Sequence, residues 1–131
     1  MSFKINNEVY SVGECVQIFD EGQEHLVAKI IKILPANGIQ KYSYWPTIEI
    51  QWYYRKSDIA KDSKLIPGLK LECISDYEVF ESNHKDVIFI ETIVGKCSIL
   101  RFEEYEQLDE INGNMFYKRA FYDPIKVRHL L

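Results

Sequence analysis

The chain has 131 residues, enough for one domain on a single core, and its 47% hydrophobic and 27% charged content is that of an ordinary globular protein. Its net charge of −4, with Lys and Arg scattered in short groups (Lys29/Lys32, Lys61/Lys64, Lys126/Arg128), disfavours direct DNA binding, which draws most of its affinity from clustered cations on phosphates. No apolar run nears the roughly 20 residues of a membrane span and the first residues lack a signal-peptide apolar core, so the expectation is an intracellular protein with no membrane contact.

Taken in order, residues 1–11 read as a short lead-in. Glu14 to Phe19 alternates as a strand with Val16 and Ile18 inward, and the Gly22-containing polar run after it is a turn. Leu26 to Leu34 is short and β-branched, which favours strand over helix; strict alternation puts Val27, Lys29, Ile31 and Ile33 on one face. Pro35-Ala36-Asn37-Gly38 ends it with turn chemistry. A connection carrying Tyr42, Tyr44 and Trp45 then leads into a strand from Ile48 to Arg55, and a hairpin from Leu26 to Tyr54 with a long connection is the simplest pairing.

Residues 56–76 have no clean period, with a turn at Pro67-Gly68. Tyr77 to Ser82 reads as a short strand, Asn83 to Asp86 as a polar turn, and Val87 to Ile90 and Ile93 to Phe102 as strands. Gly95 inside the latter points to a bulge or a close backbone approach. Tyr105, Leu108 and Ile111, three apart, fit one or two helical turns; Asn112-Gly113-Asn114 is a turn, and Met115 to Tyr122 a last aromatic strand ended by Asp123-Pro124. The whole reads as one mostly-β domain, a closed or partly closed barrel, since closure removes free strand edges.

The stretch Ile48-Glu49-Ile50-Gln51-Trp52-Tyr53-Tyr54-Arg55 stands out. Ile48, Ile50, Trp52 and Tyr54 share a face, so an aliphatic row runs on into two aromatics with Asp58 shortly after. Two π-faces at i and i+2 beside a carboxylate can receive a cation; equally, both rings can plug one end of the core. Other chemistry finds little support. His25, His84 and His129 lie in no nucleophile motif, and there is no Gly-rich phosphate loop, paired-His metal motif or calcium loop. Three scattered cysteines, Cys15, Cys73 and Cys97, read as buried reduced thiols rather than a zinc site. The acidic run Glu103 to Glu110 reads as a solvated face, and His84 and Asp86 as a turn pair. No catalytic residue, metal site or cofactor is expected.

The order of these signals resembles the bromo-adjacent homology (BAH) domain. Val12-Gly13-Glu14-Cys15-Val16 followed by Leu26-Val27-Ala28-Lys29-Ile30 is similar to its opening. Trp52-Tyr53-Tyr54-Arg55, with Asp58 where the family often has Glu, resembles its W-[FY]-[FY]-R-x-x-E signature. Glu78-Val79-Phe80-Glu81-Ser82-Asn83-His84-Lys85-Asp86 resembles its E-(L/V)-F-x-S-x-H-x-D stretch, and Ile93-Val94-Gly95-Lys96-Cys97 its I-x-G-K-C strand. Phe116 to Pro124 resembles its F-[FY]-x-R-x-x-Y-D-P close. The matches run in order from about residue 9 to 125 and imply a single domain over residues 1–131.

The resemblance implies an all-β (mostly β), distorted β-barrel-like BAH domain with short helical turns and long loops. It implies a non-enzymatic, nuclear chromatin module whose partners are a histone tail or nucleosome and other chromatin-complex proteins. In the family's methyl-lysine readers the cage aromatics match Trp52 and Tyr54, the acidic position Asp58, and the histone-contacting His and Asp match His84 and Asp86. The third cage aromatic falls on Leu26, which supplies contact area without a π-face. Two readings therefore stand: a histone-tail module that reads methyl-lysine, and a protein-interaction or scaffold module of a chromatin complex that does not.

Overall fold

The computed structural model describes residues 2–21, 24–34, 47–60 and 74–121, with residues 119–121 described by their backbone alone. Cys73, the aromatics Tyr42, Tyr44 and Trp45, and the Pro67-Gly68 and Asp123-Pro124 turns lie outside the described residues. The elements run β1 (Ser2–Ile5), β2 (Glu8–Ser11), β3 (Cys15–Ile18), β4 (Leu26–Leu34), β5 (Thr47–Arg55), α1 (Lys56–Ala60) and β6 (Glu78–Phe89). A single 3-10 turn (Ile90–Thr92), β7 (Ile93–Arg101), α2 (Phe102–Glu106) and β8 (Met115–Phe121) follow. β3 to β8 close into a barrel in the order β3-β4-β5-β6-β8-β7, so the expected closure holds. β8 lies parallel to both β6 and β7, and the other ladders of the barrel are antiparallel.

Several expectations need correcting. Residues 2–11 are not a lead-in but the β1–β2 hairpin, pairing Ile5 with Glu8 across Asn6 and Asn7. Both asparagines have positive φ (50° and 67°), which a two-residue hairpin turn of this hand requires and Asn tolerates better than other residues with a Cβ. The five residues after β5, expected to be irregular, form α1; the Asp58 carboxylate accepts from the Arg55 backbone N–H at 2.8 Å and so caps the first turn. The expected turn at 83–86 is continuous strand within β6.

Bulges in three of the antiparallel ladders shape the barrel. In the β4–β5 ladder Ile30 faces Ile50 but Lys32 faces Glu49, so Ile31 is an extra residue. The inward row is therefore Ala28, Ile30 and, past the bulge, Ile33, rather than the strict alternation through Lys29 and Ile31; Lys29 is exposed. Beside Gly95, where a bulge was expected, Gln17 pairs with Gly95 and Ile18 with Ile93, leaving Val94 extra. The third bulge, in β6, is the widest: Gln51 pairs with Lys85 and Tyr53 with Glu81, so Ser82, Asn83 and His84 oppose Trp52 alone.

Two hydrophobic clusters occupy opposite faces of β3, β4 and β5. One joins Val16, Ile18, Ala28, Ile30, Ile33, Ile48, Ile50 and Ile90 to Tyr10 of the hairpin. The other joins Val27, Val79, Cys97 and Phe116, with Cys15, Tyr53 and Ile99 packed against it, and draws on every barrel strand. Sequence neighbours divide between them (Cys15 from Val16, Val27 from Ala28, Tyr53 from Trp52) as strand alternation requires. Ile48 and Ile50 have no exposed surface, which is worth roughly 1.5–3 kcal/mol each.

Arg55 ends β5 as a buried cation, its side chain 9% exposed. Its guanidinium donates to the carbonyls of His25 (2.9 Å) and Asp76 (2.8 Å), pairs with Glu24 (3.3 Å) and lies 4.9 Å from the centre of the Phe116 ring. The segments that enter β4 and β6, and the strand β8, are thus tied to one side chain. Replacing Arg55 by Met should strand two carbonyls and cost about 2–4 kcal/mol, a fall of roughly 10 °C in melting temperature. Arg55→Lys should recover less than half of that loss, because a compact ammonium cannot span both carbonyls. Equal melting of Arg55→Lys and wild type would show that charge alone matters.

Burial pushes the Cys97 thiol up to about 12 and also raises the Tyr53 hydroxyl. A group whose pKa is raised on folding stabilises the fold below its unfolded pKa and loses that contribution as pH climbs toward the folded value. Stability should therefore fall between about pH 9 and pH 12, and the fall should be shallower in Cys97→Val; urea midpoints across that range are the measurement.

Candidate functional site

Antiparallel pairing sets the site. Ala28 of β4 faces Trp52 of β5 and Val27 faces Tyr53, so Leu26 is at the next register position, beside Tyr54. Residues directly opposite share a face, and so do alternate residues on one strand. Leu26, Trp52 and Tyr54, three positions separated in sequence, therefore stand together on one face of the β4–β5 ladder. All three are half-buried. Leu26 and Trp52 pack against the cluster of Val16, Ile30 and Ile50, so their bases belong to the core while part of each remains open.

The β6 bulge brings in the fourth member. Ser82, with no exposed surface, donates its hydroxyl to the Trp52 carbonyl at 2.6 Å and accepts from the His84 backbone N–H at 3.2 Å. The Gln51 side-chain amide donates to the Ser82 carbonyl. These bonds replace the ladder lost where three residues oppose one. They also turn His84 onto Tyr54: the Tyr54 hydroxyl lies 2.6 Å from His84 Nδ1, and the rings stack with centroids 6.1 Å apart at 30°. Either ring nitrogen assignment fixes both rings.

The two carboxylates expected at the site sit differently. Asp86 is exposed on β6 opposite Ile50, one alternate position before Trp52, and its Oδ1 accepts from the Val87 N–H at 2.9 Å. Asp58 lies in α1 just past β5, with one oxygen committed to the Arg55 N–H. A cleft of about 200 Å3 opens beside the bulge, lined by Lys29, Gln51, Trp52, Tyr53, Glu81 and Ser82, where the Glu81 carboxylate is paired with Lys118.

The structure thus gathers Leu26, Trp52, Tyr54 and His84, with Asp86 along the strand and Asp58 at the helix start. Sequence reasoning passed over Ser82 and Gln51, which build the bulge. Ser82 was readable only as one letter of the S-x-H-x-D resemblance; a serine flanked by strand-forming residues is otherwise unremarkable. Among the described residues no group of three or more His, Cys, Asp or Glu is placed to hold a metal. What the arrangement offers chemically is a face of two aromatic rings, an aliphatic side chain and an imidazole, packed on the core at its base and open above.

Comparison with known proteins gives the same picture at family level. The model of the BAH domain matches residues 8–130. The Arabidopsis thaliana chromatin remodeling protein EBS is 29% identical over 125 residues, covering 92% of this chain and 47% of that protein. The chromatin remodeling protein SHL of the same plant is 32% identical over 76 residues, covering 58% of this chain and 30% of that protein. This chain therefore spans about half the length of the first relative and less of the second. The yeast Rsc2 BAH domain superposes with a TM-score of 0.67 at 18% identity, over 93% of this chain and 49% of that one, and so shares the fold. With a closed six-strand barrel, the W-Y-Y-R strand and a family match over nearly its whole length, the chain belongs to the BAH domain family.

Proposed function

We propose that this domain is a non-enzymatic, nuclear chromatin module that binds a histone tail and receives a methylated lysine side chain on the face formed by Leu26, Trp52, Tyr54 and His84. One observation carries the reading: Trp52 and Tyr54 present half-open rings on one face while the Ser82-held bulge folds His84 against Tyr54. Trp52 and Tyr54 supply π-faces, each worth about 0.5–2 kcal/mol to a desolvated cation, and Leu26 supplies contact area without a quadrupole. Asp86 and His84 border the face where flanking peptide would run, and Asp58 adds negative charge past the end of β5. The net charge of −4 suits a tail rich in Lys and Arg. The names of EBS and SHL as chromatin remodeling proteins support the chromatin setting.

A trimethyl-lysine histone peptide should bind in the micromolar range and its unmodified form at least several-fold more weakly; an array scored by fluorescence polarisation is the direct check. Trp52→Ala should abolish this discrimination. Leu26→Tyr should restore the missing π-face and tighten binding by roughly 3- to 10-fold, about 0.7–1.4 kcal/mol. Ser82→Ala should release His84 and weaken binding while lowering stability by only about 1–2 kcal/mol.

A second reading draws on Leu26 and Trp52 resting against the core. On it the same face docks a partner protein of a chromatin complex and has no preference for methylation. Equal affinity for methylated and unmodified peptides, with Leu26→Tyr without effect, would favour this reading over the first.

A further inference from the structure

We propose that Cys15 and Cys97 form a cross-strand disulfide across the β3–β7 seam when the protein meets a peroxide-class oxidant. The two are direct register partners in the antiparallel β3–β7 ladder, and both are free thiols. Both side chains turn to the cluster of Val27, Val79 and Phe116, so they lie on the same face of their strands. Residues directly opposite in such a ladder have Cα atoms about 4.5 or 5.5 Å apart, according to whether the pair exchanges hydrogen bonds. Both spacings fall in the range of about 4.4–6.8 Å that a disulfide spans. The register thus places the pair within bridging distance.

The members are unequal. Cys15 is half-buried and Cys97 is buried, so Cys15 meets the oxidant first. Its thiolate attacks one peroxide oxygen; the S–O bond forms, the O–O bond breaks, and the departing oxygen leaves as water after protonation. The Cys97 sulfur then attacks the Cys15 sulfenic sulfur, forming S–S and breaking S–O, while the Cys97 proton leaves with the hydroxide as water. Two thiols and one hydrogen peroxide give one disulfide and two waters, the thiols having lost two electrons to the peroxide. Burial raises both thiols, which keeps the pair reduced and slow at neutral pH. The bridge would staple the seam where β7, last in the barrel order, returns to β3, closing a loop that holds β4, β5 and β6.

The test is to treat the purified full chain with hydrogen peroxide at pH 7 and pH 9 and follow it by intact mass and non-reducing peptide mapping. The expected product is lighter by two hydrogens, maps to Cys15–Cys97, forms faster at pH 9, and melts roughly 5–10 °C higher until dithiothreitol reverses it. Cys73→Ser should form the bridge unchanged and Cys97→Ser should not form it. Oxidation of Cys15 to sulfinic acid with the Cys97 thiol intact, or a bridge that runs through Cys73, would overturn the proposal.

Discussion

The guanidinium of Arg55 is the interaction on which the site depends. Burying an unpaired cation would cost several kcal/mol, so the structure surrounds it with two carbonyls, the Glu24 carboxylate and the Phe116 ring. A planar fork can serve several partners at once, which an ammonium cannot. The partners belong to segments far apart in sequence: the approach to β4, the approach to β6, and β8. Closing the barrel therefore fixes the end of β5, and Trp52 and Tyr54 lie only three and one residues before it. The buried charge that organises the fold thus also anchors the strand end that carries the aromatic face.

Rigidity at one end of β5 is matched by irregularity beside it. A regular β6 would pair residue for residue with β5 past Trp52 and set His84 opposite Trp52. Extra residues at Ser82, Asn83 and His84 bend the strand instead, and the lost ladder bonds are replaced by the Ser82 hydroxyl and the Gln51 amide. Ser82 suits this because its hydroxyl can donate to the Trp52 carbonyl and accept from the His84 N–H while fully buried. Alanine could do neither, and a larger side chain would not fit a position with no exposed surface. The bulge is thus a device that aims a side chain, as bulges beside sites commonly are.

How much of this was legible in the sequence follows from what each feature depends on. Alternation and β-branching are local, so the strands from Cys15, Leu26, Ile48, Ile93 and Met115 were readable, as was the antiparallel pairing of the second with the third. Trp52 and Tyr54 on one face followed from the same period. A bulge depends on the partner strand: nothing in Lys29-Ile30-Ile31-Lys32 says that Ile31 will be skipped, and the skip moves the inward row from Lys32 to Ile33. Likewise Asn83 to Asp86 has turn composition and becomes strand only because β5 is there to pair with it. Asn6-Asn7 was a missed local signal, since adjacent asparagines suit a hairpin turn. Arg55 could be placed in a signature but not understood, because its partners come from three other segments.

Leu26 and Trp52 belong to two systems at once. Each packs against the cluster around Val16, Ile30 and Ile50 and each forms part of the open face. Removing the Trp52 ring therefore opens a cavity in the core as well as a gap in the face. Tyr54 is different. Its hydroxyl meets His84, an exposed residue on a bulge, so a change at that hydroxyl reaches the face directly. The same logic applies to Leu26: it satisfies the core fully as an aliphatic, and the core gives no reason for an aromatic there.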